Sequence, residues 1–436
     1  MTTKSANQQT LPVHQLASFL TFAIGLMAVV CDGGFLAAED TPPWKTNPPI
    51  VTVKRELYRQ HKKPREAPIA TVTYVGGQLE RREVQSEETL DDVHDHVRAR
   101  WSEDNGRTWG EFVAIQRSTN VDYGGVIVWE GGGTDVYDPH SKLLVQSWLR
   151  QIQVGNLYHC FTYTRHSKDL GRTWSEPQQL KYEEGPDFDP KQPSDHAFLD
   201  RNEGYLGNNI CLRKDGTLVH VLAHCNAPGD PKNNERPWRM GSIVFLGKWN
   251  ADRNHYDWKP GARVEISSEH SARGLSEPEV AELADGRLLV VWRGSTEGLD
   301  GSVAKLPGRK FFSISSDGGK TLTTPAVWQY DNGSDFYSPS SFHRMIRHSV
   351  TGKLYWIGNI TPAPPKGNSP RYPLVIAEVE EEKGALKRNS VTVVDDRSDK
   401  QSANVQFSNF SLLENRETHH FELYLTTYGQ EPDPAD

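Results

Sequence analysis

The chain has 436 residues, with 57 acidic against 49 basic side chains and a formal net charge of −8. That balance lacks the basic footprint left by phosphate-backbone recognition, so nucleic acid is not an expected partner. With 36 Gly, 27 Pro, 12 Trp and 10% aromatic residues, the composition excludes collagen-like and disordered chains. It describes a turn-rich globular protein whose length admits one large domain or about three ordinary ones.

The first element is an address. LASFLTFAIGLMAVVC, from Leu16 to Cys31, carries no charge; Lys4 precedes it, and Asp32, Gly33, Gly34, Ala37 and Ala38 follow. A basic start, an apolar run and a small-residue exit are the three parts of a secretory signal. The run falls short of the roughly 20 residues a bilayer span needs, so a permanent anchor is the weaker reading. Residues 1–38 are read as the signal and 39–436 as the exported domain, secreted or periplasmic, with no stable membrane span. Cys160, Cys211 and Cys225 remain, too few for a disulfide framework and enough for at most one bridge.

Beyond residue 50, short apolar or alternating runs lie between Gly, Asp, Asn and Pro with little helical periodicity, which predicts an all-β protein. In chain order, hairpin turns are read at Gly76 in TVTYVGGQLERREV, near Pro139 in VYDPHSKLLVQSW and at Asp215 in ICLRKDGTLVHVLA. Three more fall at Asp285 in ELADGRLLVVWR, Thr351 in RHSVTGKLYWIGN and near Arg416 in LLENRETHHFELYLTTY. The centres recur at intervals of about 63 to 76 residues, the period of a repeated four-stranded unit. The expectation is a six-bladed β-propeller of four-stranded antiparallel blades.

A second repeat runs through the same region: SEDNGRTW (Ser102–Trp109), SKDLGRTW (Ser167–Trp174) and SSDGGKTL (Ser315–Leu322). Ser and Asp oxygens can take turn N–H groups, Gly takes the tight backbone position, and Trp packs against the sheet. These octapeptides resemble the Asp box, S-x-D-x-G-x-T-W, of the sialidase (neuraminidase) superfamily, where such boxes lie on outer turns away from the active site. They speak for fold rather than catalysis.

The resemblance extends to LSEPEVAELADGRLLVVWR, where Glu277, Glu282-Leu283, Asp285-Gly286 and Arg293 match a family arrangement in spacing and order. It implies an exo-acting glycoside hydrolase for a terminal acidic sugar, sialic acid being the family's substrate. The partner would be a glycan or polysaccharide with acidic sugars, and no cofactor or metal is expected. Arg293, Arg371 in NSPRYPLVIAEV and Arg65 in REAP would hold the sugar carboxylate, since a guanidinium offers a planar fork of donors. Glu277 would assist the nucleophile. Asp92 in ETLDDVHDHVRARW would be the acid/base, with Asp91 and Asp95 as competitors. Phe407 in VQFSNFSLLENR occupies the place of the family's nucleophilic Tyr, so Tyr337 in DFYSPSSF or an activated water must replace it.

A rival chemistry shares the Asp92 segment. His94 and His96 alternate on an extended run and face one side. Either would serve as the base of a uronic-acid polysaccharide lyase, and as metal ligands they make a weaker case than as surface or core residues. A third reading is a carbohydrate-binding propeller without turnover. His220 and His224, in VHVLAHC, read as strand packing.

Overall fold

The computed structural model describes residues 41–60, 67–90, 93–115, 118–155, 157–224, 240–298 and 301–429. Five antiparallel sheets follow one another along the chain. The first holds β1 (Ala67–Tyr74), β2 (Arg81–Leu90), β3 (Val93–Ser102) and β4 (Val113–Ala114). The second holds β5 (Ser118–Asp122), β6 (Val126–Asp138), β7 (Leu143–Val154), β8 (Leu157–Ser167) and β9 (Gln178–Gln179). In the third are β10 (Ile210–Leu212), β11 (Leu218–His224), β12 (Gly241–Asn250) and β13 (His255–Val264). The fourth contains β14 (Ser276–Glu282), β15 (Leu288–Arg293), β16 (Lys310–Ser315) and β17 (Ala326–Val327). The fifth contains β18 (Arg344–Arg347), β19 (Leu354–Asn359), β20 (Leu374–Glu380), β21 (Ala385–Leu386) and β22 (Thr392–Asp395). After it come only two pairs: β23 (Gln406–Phe407) with β26 (Thr427–Tyr428), and β24 (Ser411–Glu414) with β25 (Phe421–Tyr424). The one α-helix among the described residues is α1 (His196–Leu199), and no helix there is long and apolar enough to cross a membrane.

Each of the six predicted turns joins a strand pair, from Gly76 between β1 and β2 to Arg416 between β24 and β25. The blade count is corrected: the described chain builds five blades, not six. The four short strands between Asp395 and Gly429 pair as two separate two-stranded sheets, so the last turn makes a hairpin and not a four-stranded blade.

The strands near the axis touch in sequence, β1 to β6, β6 to β10, β10 to β14, β14 to β18 and β18 to β24, and β24 returns to β1. A cavity of about 270 Å³ lined by Thr71, Thr73, Asp135, Arg344 and Leu412 marks where four of these strands converge. The ring therefore closes through the C-terminal hairpin. Polar groups make that seam: Arg81 pairs with Glu422 at 2.7 Å, Ser411 Oγ accepts from the Val72 amide at 3.1 Å, and Arg416 donates to the Gly76 carbonyl at 2.9 Å.

Between the third, fourth and fifth blades the contact is apolar, whereas the buried Arg82–Asp135 ion pair joins the first blade to the second. In the sheet interior a strand is covered on both faces, and LLVVWR reads accordingly as an unbroken apolar run ending in Arg293. Trp328, Trp356, Phe336, Leu289 and Val375 form the largest core cluster, shared by the fourth and fifth sheets. His220 is a packed strand residue, bonded to Ser147 Oγ and the Asn209 carbonyl at 2.9 Å each, and burial lowers its pKa to about 4. Cys160 and Cys211 are free thiols; Cys225 lies outside the described residues.

The three octapeptides fold into one hydrogen-bonded turn after β3, β8 and β16, in the first, second and fourth sheets. In each, the Ser hydroxyl donates to the Asp carboxylate at 2.7–2.8 Å and accepts the Gly amide at 2.7–2.8 Å. The Asp in turn accepts from the Thr amide at 2.8–2.9 Å and the Thr hydroxyl at 2.6–2.7 Å. Gly319 carries φ +96°, which a side chain would strain, and its carbonyl accepts the Ala262 amide at 2.9 Å, tying the turn to the third sheet. Hydrogen bonds from Thr321 hold the Asp317 carboxyl down to about 2. A carboxyl held below its unfolded value stabilises the fold above pH 4, and the gain fades as pH falls toward 2. Asp317→Asn is expected to lower Tm at pH 7 by about 1–3 °C. In melts recorded from pH 5 to pH 2.5 the gap to the parent should narrow; a constant gap would refute the charge-based account.

Candidate functional site

β14 and β15 pair in register at Ser276–Arg293 and again from Glu279–Val291, with an irregularity between. Glu277 sits in that bulge at φ +46°, which re-aims a side chain that regular pairing would have placed otherwise. Its Oε1 accepts a short hydrogen bond from Arg293 Nη1. The Glu277 side chain is 25% exposed and that of Arg293 12%, so the pair is partly open to solvent rather than sealed in the core.

From this pair the site grows through one serine. Arg293 Nε donates to Ser340 Oγ at 2.7 Å, and Arg371 Nη2 donates to the Ser340 carbonyl at 3.2 Å. Arg371 Nη1 donates to Gln406 Oε1 at 2.8 Å. The loop carrying Arg371 is fixed by Asn359, whose Nδ2 donates to the carbonyls of Arg371, Pro373 and Phe407 at 3.0–3.2 Å. Ser340 is itself buried, and its amide donates to the Gly367 carbonyl at 3.0 Å. Two arginines from distant segments thus converge on one strut.

Beneath them lies Lys310, directly opposite Arg293 in the β15–β16 register, fully buried, with Nζ donating to the Ser341 carbonyl. Burial pushes its ammonium well below the ordinary value, Arg293 pushes the same way, and Glu277 only partly opposes them. For Glu277 the balance runs the other way. Burial raises its carboxyl, but Arg293, by charge and hydrogen bond, with Arg371 and Lys310, outweighs burial and holds it below the usual range. The site is an ionised carboxylate in a field of cations, a setting that favours an incoming anion.

The other sequence candidates stand as follows. Glu277, Arg293 and Arg371 are brought together. Tyr337 lies between β17 and β18, with the Arg309 guanidinium 4.4 Å from its ring centroid and its carbonyl accepting the Thr361 amide at 3.0 Å; no hydrogen bond joins it to Glu277. Phe407 is 2% exposed in an apolar cluster with Ile357, Leu374 and Phe410. His94 and His96 fall in β3, with His94 opposite Glu88, and their side chains lie outside the described residues. Asp91, Asp92 and Arg65 also lie outside them. No group of three or more His, Cys, Asp or Glu side chains suited to a metal occurs among the described residues.

Sequence reasoning missed Ser340, Gln406 and Lys310. A lysine opening the strand KFFSIS was the one visible signal, and nothing in its spacing tied it to Arg293.

Solved structures similar to this chain include these three. A protein of unknown function from Dyadobacter fermentans is 13% identical at a TM-score of 0.51, the match covering 84% of this chain and 96% of that one. The Hadza microbial sialidase Hz136 is 15% identical at 0.50, with coverage of 83% and 65%. The NanB sialidase from Streptococcus pneumoniae is 13% identical at 0.51, with 85% and 69%. At such identities the likeness shows the β-propeller fold. The chain spans somewhat less than two thirds of the Hadza sialidase. No family model and no curated protein matches the sequence.

Ser340→Ala removes the acceptor that orients Arg293 while leaving both guanidiniums in place. For a carboxylate-bearing ligand, Kd should rise about 3- to 10-fold, the worth of one charge-assisted hydrogen bond, with Ser340→Thr recovering most of it. Equal losses in both variants, read by calorimetric titration, would count against the strut.

Proposed function

We propose that the chain is an exported exo-acting glycosidase that removes a terminal acidic sugar, sialic acid or a close relative, from glycans. The observation that carries this reading is the Glu277–Arg293–Ser340–Arg371 chain of contacts, which aims two guanidiniums from separate blades at one place. Paired guanidiniums match the planar geometry of a carboxylate better than two ammonium groups would. Arg293 and Arg371 hold the substrate carboxylate in this proposal, joined by Arg65, and Asp92 protonates the leaving group. Glu277 works on the opposite side of the anomeric carbon. The sialidase fold of the structural neighbours supports the reading at the level of architecture.

The buried phenyl ring of Phe407 favours one alternative, a propeller that binds acidic sugars without cleaving them. Incubation with 4-methylumbelliferyl α-N-acetylneuraminide separates the two: the glycosidase releases fluorophore, and no release at high protein concentration rejects the proposal. Arg293→Lys should lower kcat/KM by about 10- to 100-fold, because a point charge cannot reproduce a bidentate fork. An unchanged kcat/KM removes Arg293 from the substrate site.

A further inference from the structure

We infer that Glu277 acts as a general base on water, so that the acidic sugar is released with inversion at the anomeric carbon. This rests on the glycosidase reading above and specifies its nucleophile.

Three observations carry it. Among the described residues, the only hydrogen-bond donor to Glu277 is Arg293, at Oε1; Oε2 accepts nothing from the protein. A carboxylate activates a protein hydroxyl through a hydrogen bond to it, and no hydroxyl among the described residues is bonded to Glu277. Next, the strand that brings Gln406 to Arg371 brings Phe407 beside it, with the Phe407 amide donating to the Arg371 carbonyl at 3.0 Å. The ring is packed into the apolar cluster and has no oxygen to offer. Last, no hydrogen bond joins Tyr337 to Glu277, and the Tyr337 ring packs against Arg309.

Glu277 itself makes a poor direct nucleophile. Oε1 is capped by Arg293 and Oε2 is buried, so neither presents itself to a crowded anomeric carbon. A proton needs far less room, and the soft terminal torsion of Glu can turn either oxygen toward the exposed quarter of the side chain. The surrounding cations keep the group ionised, as a base must be.

In the step, the water oxygen bonds to the anomeric carbon while the glycosidic C–O bond breaks and its electron pair leaves with the aglycone. The water's proton passes to the Glu277 carboxylate, from which solvent removes it. An aryl aglycone departs as phenolate and needs no proton in the step itself.

Proton NMR in D₂O with 4-methylumbelliferyl α-N-acetylneuraminide reads the outcome before mutarotation blurs it. The β anomer should be present from the first spectra, and Glu277→Gln should cut kcat at least 100-fold with KM changed less than threefold. Early accumulation of the α anomer overturns the inference and leaves the glycosidase reading standing. Absence of any cleavage overturns that reading, and the inference with it. The parent protein's NMR result needs no variant, so a Glu277→Gln protein that fails to fold leaves the test intact.

Discussion

A β-sheet that is apolar on both faces cannot stand in water, and the fourth and fifth blades of this protein are such sheets at their centres. Val290, Val291 and Trp292 of β15 are completely buried, as are Trp328 and Trp356 around the next blade. At about 25 cal/mol per Å², a fully buried Trp represents roughly 4–6 kcal/mol of gross hydrophobic stabilisation. Most of that is realised against the neighbouring blade, so the blades stabilise one another in sequence. A linear row would leave its first and last faces wet; the ring removes both.

The seam where the ends meet is built differently. Arg81 is nearly buried and bound to Glu422, while Asn105 donates to Glu417 at 2.6 Å and to Asn415 at 2.9 Å. Charged and amide groups demand particular partners where apolar contacts accept many. A polar seam therefore fixes which strand lies beside β1, and the hairpin β24–β25 suffices there because it has to cover the neighbouring faces without building a full blade.

The candidate site follows from the same closure. The end of β15 delivers Arg293, the segment before β18 delivers Ser340, and the loop before β20 delivers Arg371. These lie far apart in sequence and meet because successive blades turn the same end toward the axis. The concentration of cations has a local cost, since Lys310 is buried with only a carbonyl as its recorded hydrogen-bond partner. Glu277 offsets part of it, and an anionic ligand would offset more.

Turn chemistry and strand alternation depend on neighbouring residues, which is why the sequence by itself determined all six hairpin positions and the hydrogen bonding of the Ser-x-Asp-x-Gly-x-Thr turns. The partnership of Glu277 with Arg293 was legible for the same reason, because both belong to one hairpin. Blade number was not, since it depends on whether the last hairpin joins further strands, and β23 and β26 pair with each other instead. Nor were Ser340, Gln406 and Lys310, whose roles exist only once separate blades are side by side. Tyr337 shows the converse: its position along the chain suggested the site, and its ring packs against Arg309. Local interactions are written in adjacent residues; which strand ends face each other is decided by sheet-to-sheet burial around the closed ring, and that only the tertiary structure settles.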